Sequence, residues 1–499
     1  THIYYYMVSQ KIRFGRDVLI AAVATALKSL RNLLLIRFIS FNLSLADYGI
    51  WEQIAVGIAL VLPWVTLQLP SALLRFLPGI DDRHRWADDF YSVFTFVVGT
   101  TSLLGLLVWV GLALLAPYPH LAPFATHAGI IALLIPISAA VNTVVILFRA
   151  QRLMVIHSAL TLAQNFGEFA LVGYLLDRGH DLGAALWALV LIRTVIALVG
   201  LSITSAQFGL VRPTFCRLRE YLSYTIPLVP NSSLYRVFDA GDRYVLSYFA
   251  GHAAVGTYAA AYTMGSFFTT LIAPINMVLL PVMAELWNQQ RQAELGEYLT
   301  QAIRYSTLLS LPALTGAIYL APPLLDLLVA DSAQAVPFFS LLACSFLIFG
   351  IGILGSNVLA TAGRTRLLLV VDLSLASFNL LLNLLLVPVL GIMGAVLSTL
   401  LSHIFYAAIV LYKAHQSAPF RLPWSPVAHS AAGAACMLGA LHLASVLLAV
   451  PLLLQIIFGS AVYGAFMVLS GGIEKRELLF LANIVKGLRS IRRDDDATA

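Results

Sequence analysis

Lys28 and Arg31 stand about one helical turn apart in ALKSLRNLLLIRF, Ala26 to Phe38, inside a run that is otherwise a hydrophobic membrane helix. A cation near the bilayer centre costs about 2.5–3.5 kcal/mol on insertion scales, so residues of this kind need a physical reason. Arg193 poses the same question in LWALVLIRTVIAL, and YTIPLVPNSSLYRVFDAGDRYVL carries Arg236, Asp239, Asp242 and Arg243. Asp239 lies three residues after Arg236 and four before Arg243, a spacing that puts an ion-pair ladder on one helix face. Glu168 and Asp372 are acids in two further apolar runs, with Gln164, Asn165, Asn379 and Asn383 close by in sequence. Two kinds of chemistry fit these groups. They can pair between helices and fix the packing. Alternatively they line a hydrated cavity in which Lys28, Arg31, Arg193 and Arg236 outnumber Glu168 and Asp239. Such a lining suits a phosphate or pyrophosphate, which guanidinium groups grip in bidentate fashion. Glu168 and Asp372 are also candidate proton or sodium sites. Arg37, near the end of its run, reads as an interface anchor that snorkels.

The elements that must carry these groups follow from composition. The 499 residues are 60% hydrophobic and 11% charged, with a mean hydropathy of +0.88, against about 25% charged in soluble domains. The chain is an all-α polytopic membrane protein. Apolar windows of about 20 residues predict fourteen transmembrane helices. The first twelve lie near 17–40, 49–74, 89–115, 125–148, 154–176, 184–205, 222–248, 256–284, 301–325, 335–360, 367–388 and 392–412, and a final pair near 427–447 and 451–471. The first run is too long for a signal-peptide core and has no small-residue cleavage site.

Placing the N-terminus in the cytoplasm tests that count by the positive-inside rule. Of the 30 Lys and Arg, six fall inside spans (Lys28, Arg31, Arg37, Arg193, Arg236 and Arg243), and of the others only Arg178 is assigned to an outer loop. Both termini are therefore expected in the cytoplasm. The net charge of +6 is topological and implies no nucleic acid. The basic tail EKRELLFLANIVKGLRSIRR suits the surface of anionic membrane lipids, or is an ordinary positive-inside tail.

The two halves echo each other. DYGIW at Asp47–Trp51 resembles AVGTY at Ala254–Tyr258, NTVVILFR at Asn142–Arg149 resembles NVLATAGR at Asn357–Arg364, and GAALWAL at Gly183–Leu189 resembles GAVLSTL at Gly394–Leu400. Offsets spanning six helices preserve orientation, which gives parallel repeats. The expected organisation is an N-lobe over 1–210, a C-lobe over 211–415, helices 13 and 14 over 416–473, and a cytoplasmic tail over 474–499. Carriers built this way hold their substrate between the repeats at mid-membrane.

Several chemistries lack their sequence signature. No GxxxxGK[ST] or HExxH is present, and no metal site or cofactor is expected. GIGILG at Gly350–Gly355 lies within an apolar helix with no strand before it, and reads as close packing or a hinge. Cys216, Cys344 and Cys436 are scattered and read as free thiols. The outer loops are too short to house the acceptor site of a membrane glycosyltransferase or polymerase.

Twelve helices in two repeats plus a final pair, LSLADYGIW after the first helix, YTIPLVPNSSLYRVFDAGDRYVLSYFAGHAAVGTYAAAY and LGIMGAVLSTLLSHIFYAAIVLYK together resemble the polysaccharide flippases. These are the Wzx-type O-antigen and exopolysaccharide repeat-unit translocases of the multidrug/oligosaccharidyl-lipid/polysaccharide exporter superfamily. The resemblance covers nearly the whole chain. It implies a non-enzymatic carrier in a prokaryotic plasma membrane that moves polyprenyl-pyrophosphate-linked oligosaccharide from the cytoplasmic to the outer leaflet. It further implies two lobes arranged as a V, alternating access driven by an ion gradient or membrane potential, and polysaccharide polymerase or export partners. A multidrug or cation antiporter of the same superfamily is the second reading, and a membrane glycan polymerase the third.

Overall fold

The computed structural model describes residues 27, 31–79, 82–151, 153–230, 241–329, 332–447 and 451–472. Lys28, Arg236 and Asp239 lie outside the described residues, as does the tail from 473. Within them every regular element is helical. In chain order these are α1 (31–42), α2 (Leu45–Val65), α3 (Leu69–Phe76), α4 (Arg83–Leu115), α5 (Ala122–Ala125), α6 (Ala128–Ala150), α7 (Met154–Asp177), α8 (Leu182–Phe208), α9 (Leu218–Thr225), α10 (Asp242–Ala250), α11 (His252–Asn288), α12 (Gln292–Tyr319), α13 (Ala321–Leu328), α14 (Ser332–Thr361), α15 (Thr365–Leu390), α16 (Ile392–Ser417), α17 (Trp424–Leu447) and α18 (Leu452–Leu469). Among the described residues ten helices are long and apolar enough to cross a membrane, or eleven if α12 and α13 count as one bent span.

Local chemistry sets where these helices start. Ser44 caps α2, its Oγ accepting from the Asp47 amide at 3.0 Å and donating to Asp47 Oδ2 at 2.7 Å. Asp82 and Asp181 cap α4 and α8 by accepting from the His84 and Ala184 amides at 2.9 and 3.0 Å. Each cap satisfies a backbone donor that the helix leaves open. Two expected helices are broken. The span near 49–74 ends at Val65, because Leu67 and Gln68 take left-handed backbone (φ 49° and 55°) before Pro70 starts α3. That near 301–325 bends by 76° between α12 and α13, where Pro322 and Pro323 cannot continue the preceding hydrogen-bond ladder.

The chain divides into two compact units. The first holds the described residues of Thr1–Thr270, Leu325–Ser345 and Thr365–Tyr406. One hydrophobic core in it is built by α3, α4, α6, α7, α8 and α9, and includes Leu69, Leu73, Phe90, Val144, Phe148, Leu160 and Tyr221. In lipid such packing is driven by dispersion and shape rather than by water exclusion. Leu103, Leu106, Leu107 and Val110 of α4 are exposed on the opposite side, as a lipid-facing surface requires. The connection after α8 is clamped at Asp88, which accepts from the Thr214 amide and hydroxyl at 2.8 and 2.6 Å, and at Asp89, paired with Arg217 at 2.9 Å.

The second unit holds the described residues of Leu271–Leu324, Phe346–Arg364 and Ala407–Ala499. Tyr463 of α18 ties it together, donating to the Leu308 carbonyl at 2.9 Å and hydrogen-bonding Ser430 at 2.9 Å. An apolar cavity of about 420 Å³ lies among α12, α17 and α18, walled by Pro312, Met437, Leu441 and Ile456.

Candidate functional site

Arg31 is on α1, Glu168 on α7 and Arg193 on α8, and the first unit brings all three side chains together. Arg31 Nη2 lies 3.2 Å from Glu168 Oε2, and Arg193 Nε lies 2.8 Å from Glu168 Oε1. The other donors of Arg31 are also used: Nε donates to the Asn165 carbonyl at 2.9 Å and Nη1 to Asn32 Oδ1 at 3.1 Å. Gln164 Nε2 donates to Glu168 Oε1 at 3.0 Å. Arg193 Nη1 donates to Ser138 Oγ of α6 at 2.6 Å, while its Nη2 has no hydrogen bond among the described residues. A carboxylate shared by two guanidiniums leaves one positive charge in excess within this cluster. The side chains of Arg31 and Glu168 are 9% and 6% exposed, and that of Arg193 is 20% exposed. Arg31 is thus held by its partners, whereas Arg193 keeps donors for a ligand.

Two cavities meet at Arg193. One, of about 330 Å³, is lined by Arg31, Glu168 and Arg193 and by Tyr48, Trp51 and Glu52 of α2. The other, of about 460 Å³, extends past Leu62, Thr66 and Gln68 toward the far end of α2 and also reaches Ser138 and Asn142 of α6. Ala55, Ile58 and Arg193 line both. Tyr48, Glu52, Ala55, Ala59, Leu62 and Thr66 recur at three- and four-residue spacing. A single face of α2 therefore runs the length of the two cavities.

Arg243 belongs to a second ionic group. It is 3.7 Å from Glu52 and 3.6 Å from Asp242, its guanidinium lies over the Tyr262 ring at 4.6 Å, and it is buried. Asp242 in turn accepts a hydrogen bond from Tyr258. The expected Asp239–Arg243 ladder involves a residue outside those described. Asp372 of α15 is half-buried and does not line either cavity. Arg37 is exposed and donates to the Leu327 carbonyl, where a cation complements the C-terminal end of α13. Glu52 also lines the first cavity and was not among the residues singled out from the sequence. Counting it, the described ionic lining of the first cavity is two arginines and two glutamates; Lys28 and Arg236 lie outside the described residues. The signal was available, since Glu52 is a carboxylate seven residues into an apolar helix. Among the described residues no group of three or more His, Cys, Asp or Glu is placed to hold a metal ion.

This fold and site define a multi-span, all-helical membrane protein with a polar, arginine-bearing cavity buried among its N-terminal helices. Residues 14–287 match the family model described as polysaccharide biosynthesis protein; the chain belongs to that family. Residues 219–385 match a second model, MatE. A curated relative, the uncharacterized membrane protein MJ1068 of Methanocaldococcus jannaschii, is 26% identical over 164 residues. The match covers 32% of this chain and 32% of that one, so the chain spans about a third of its relative's length. Among solved structures, the lipid II flippase MurJ in an inward closed conformation superposes with a TM-score of 0.70 at 15% identity, covering 93% of this chain and 100% of the other. An inward-facing multidrug resistance MATE family transporter of the MOP superfamily gives 0.63 at 14% identity, covering 78% and 94%. The resemblance to that superfamily is borne out by the family matches and the fold together.

Proposed function

We propose that the chain is a flippase that moves polyprenyl-pyrophosphate-linked oligosaccharide repeat units from the cytoplasmic to the outer leaflet for surface polysaccharide biosynthesis. The observation that carries this reading is Arg193, whose guanidinium is anchored by Glu168 and Ser138 while lining two cavities at once. A diphosphate moving along α2 passes from one cavity to the other under the same guanidinium, with Arg31 and Lys28 adding to the positive field. Sharing the cost of buried cations with an anionic cargo is the physical motive. Membership in a polysaccharide biosynthesis family and a fold like that of a lipid flippase support the same reading.

The protein then acts without catalysis, as fourteen helices with both termini in the cytoplasm, the two six-helix repeats alternating access and helices 13 and 14 standing apart. The multidrug or cation antiporter reading draws on the MATE-like fold but needs an uncommitted mid-membrane carboxylate. Glu168 is engaged by two arginines and a glutamine, which leaves Asp372 as the candidate ion-coupling group. In a host strain lacking the gene, the wild type restores surface glycan, and Lys28→Ala or Arg31→Ala inserts normally yet fails to do so. Full glycan display by both variants overturns the cavity assignment. Drug resistance without glycan rescue favours the antiporter.

A further inference from the structure

Arg193 keeps different company in each of its two cavities. On the smaller it stands with Arg31, Glu52 and Glu168. On the larger, of about 460 Å³, it is the only charged side chain among the described residues of the lining. The polar groups beside it there are neutral. Ser138 Oγ accepts from Arg193 Nη1 at 2.6 Å, and Asn142 follows one turn along the same face of α6. Asn142 is exposed, and its side-chain amide has no hydrogen-bond partner among the described residues. Its counterpart in the echo of NTVVILFR and NVLATAGR is Asn357, which is used differently. Asn357 of α14 is 8% exposed and donates to Asn276 Oδ1 of α11. There the amide joins two helices, whereas on α6 it is left to the cavity.

A primary amide donates and accepts within one planar group, and that selects among ligands. An apolar chain displaces water from both halves and replaces neither hydrogen bond. A phosphate uses the donor alone, and its charge meets the carbonyl oxygen. A hydroxyl or acetamido group both donates and accepts, so it satisfies the two halves together. Ser138 and Asn142 are neighbours at roughly 5–6 Å between Cβ atoms, close enough for one sugar phosphate to touch both the Arg193 guanidinium and the amide. The volume lies within the range for ligand cavities, roughly 300–1,000 Å³, and Ala55, Ala59 and Ala139 keep the wall low. We infer that Asn142 reads the first sugar of the cargo, binding its hydroxyl or acetamido substituents while Arg193 holds the adjoining phosphate. The inference rests on the flippase reading and adds to it the origin of glycan selectivity.

Binding to the purified full chain tests it, with three probes: undecaprenyl diphosphate, the same lipid carrying one hexose, and the same lipid carrying one N-acetylhexosamine. One sugar-bearing lipid is expected to bind about tenfold tighter than the bare lipid. Asn142→Leu, which keeps the size and removes both hydrogen-bonding groups, cuts that advantage to about twofold or less. Its melting temperature stays at the wild-type value, because the amide it removes bonds no other part of the fold. Asn142→Ala is an independent second variant with the same expected result. Asn357→Ala, at the echo position, is expected to do the reverse, lowering the melting temperature while keeping the preference. Equal binding of all three lipids by the wild type overturns the inference and leaves the diphosphate reading standing. So does a sugar preference that survives both Asn142 substitutions. An equal loss of affinity for all three lipids in Asn142→Leu makes the amide a phosphate contact and overturns the sugar assignment. Failure of the wild type to bind any of the three overturns the flippase reading and the inference with it.

Discussion

Gly49 of α2 and Gly256 of α11 lie against each other, and neither has room for a Cβ. A Cβ on Gly49 overlaps the His252 carbonyl and comes within 3.2 Å of the Gly256 amide; one on Gly256 overlaps the Leu45 carbonyl and comes within 3.3 Å of the Gly49 amide. These are the matching glycines of DYGIW and AVGTY, 207 positions apart, so the two echoing stretches touch at the residue they share. Gln53, one turn further along α2, continues the seam by donating to the Arg243 carbonyl at 3.3 Å, while its own carbonyl accepts from Tyr244 at 3.0 Å.

Overfilling this crossing forces the helices apart. Gly49→Ala or Gly256→Ala is expected to destabilise the purified protein by about 1–3 kcal/mol, read as a lowered melting temperature. Because both substitutions open one contact, their effects are not additive, and the double variant melts close to the worse single one. Additive losses contradict the crossing.

Removing the shared carboxylate of the arginine cluster costs more than removing one arginine. Glu168→Gln strips the charge partner from the buried Arg31 and the part-buried Arg193 and is expected to cost about 3–5 kcal/mol. Arg31→Met leaves Glu168 paired with Arg193 and costs roughly 1.5–3 kcal/mol, the range for a hydrogen bond to a charged group. Denaturant titration of the two variants gives the order, and a reversed order contradicts the shared-carboxylate geometry.

The native thiols report topology. Cys216 and Cys436 are exposed, and Cys344 is partly so. Cys216 lies in the clamped connection between α8 and α9, outside any helix, and Cys436 is within the apolar helix α17. If that connection faces the cytoplasm, a membrane-impermeant maleimide labels Cys216 only after the cells are permeabilised. Labelling of Cys216 in intact cells contradicts the orientation.

Much of this was readable from the chain because the bilayer makes the signal strong. Apolar runs announced α2, α4, α6 and α8, and any charge inside such a run stands out by its cost. Arg31, Glu168 and Arg193 were therefore visible individually. Their common carboxylate was not, because Glu168 is 137 positions from Arg31 and 25 from Arg193, and only tertiary packing decides which helices are neighbours. The break at Leu67–Gln68 and the bend before α13 depend on local backbone within apolar sequence, to which hydropathy is blind. Glu52 was overlooked because its importance comes from Arg243, 191 positions away, and from its place on a cavity wall. Gly49 and Gly256 were visible as an echo of sequence, but nothing in that echo says that the two copies touch.

Exchanging Arg193 separates charge from geometry. Lysine keeps the charge but cannot hold Glu168, Ser138 and a phosphate with a planar fork of donors. Transport by Arg193→Lys is expected to fall about tenfold or more, and Arg193→Ala to fall further. Rates for the lysine variant equal to wild type contradict the bidentate role.

The most direct measurement is translocation itself. Purified protein is reconstituted into vesicles with a labelled undecaprenyl diphosphate-linked sugar, and the label in one leaflet is followed after an impermeant quencher is added. The wild type is expected to equilibrate the lipid between leaflets, whereas Arg193→Ala, folded and reconstituted to the same level, leaves it where it started. No movement with the wild type, or equal movement with Arg193→Ala, contradicts a diphosphate path along α2 under Arg193.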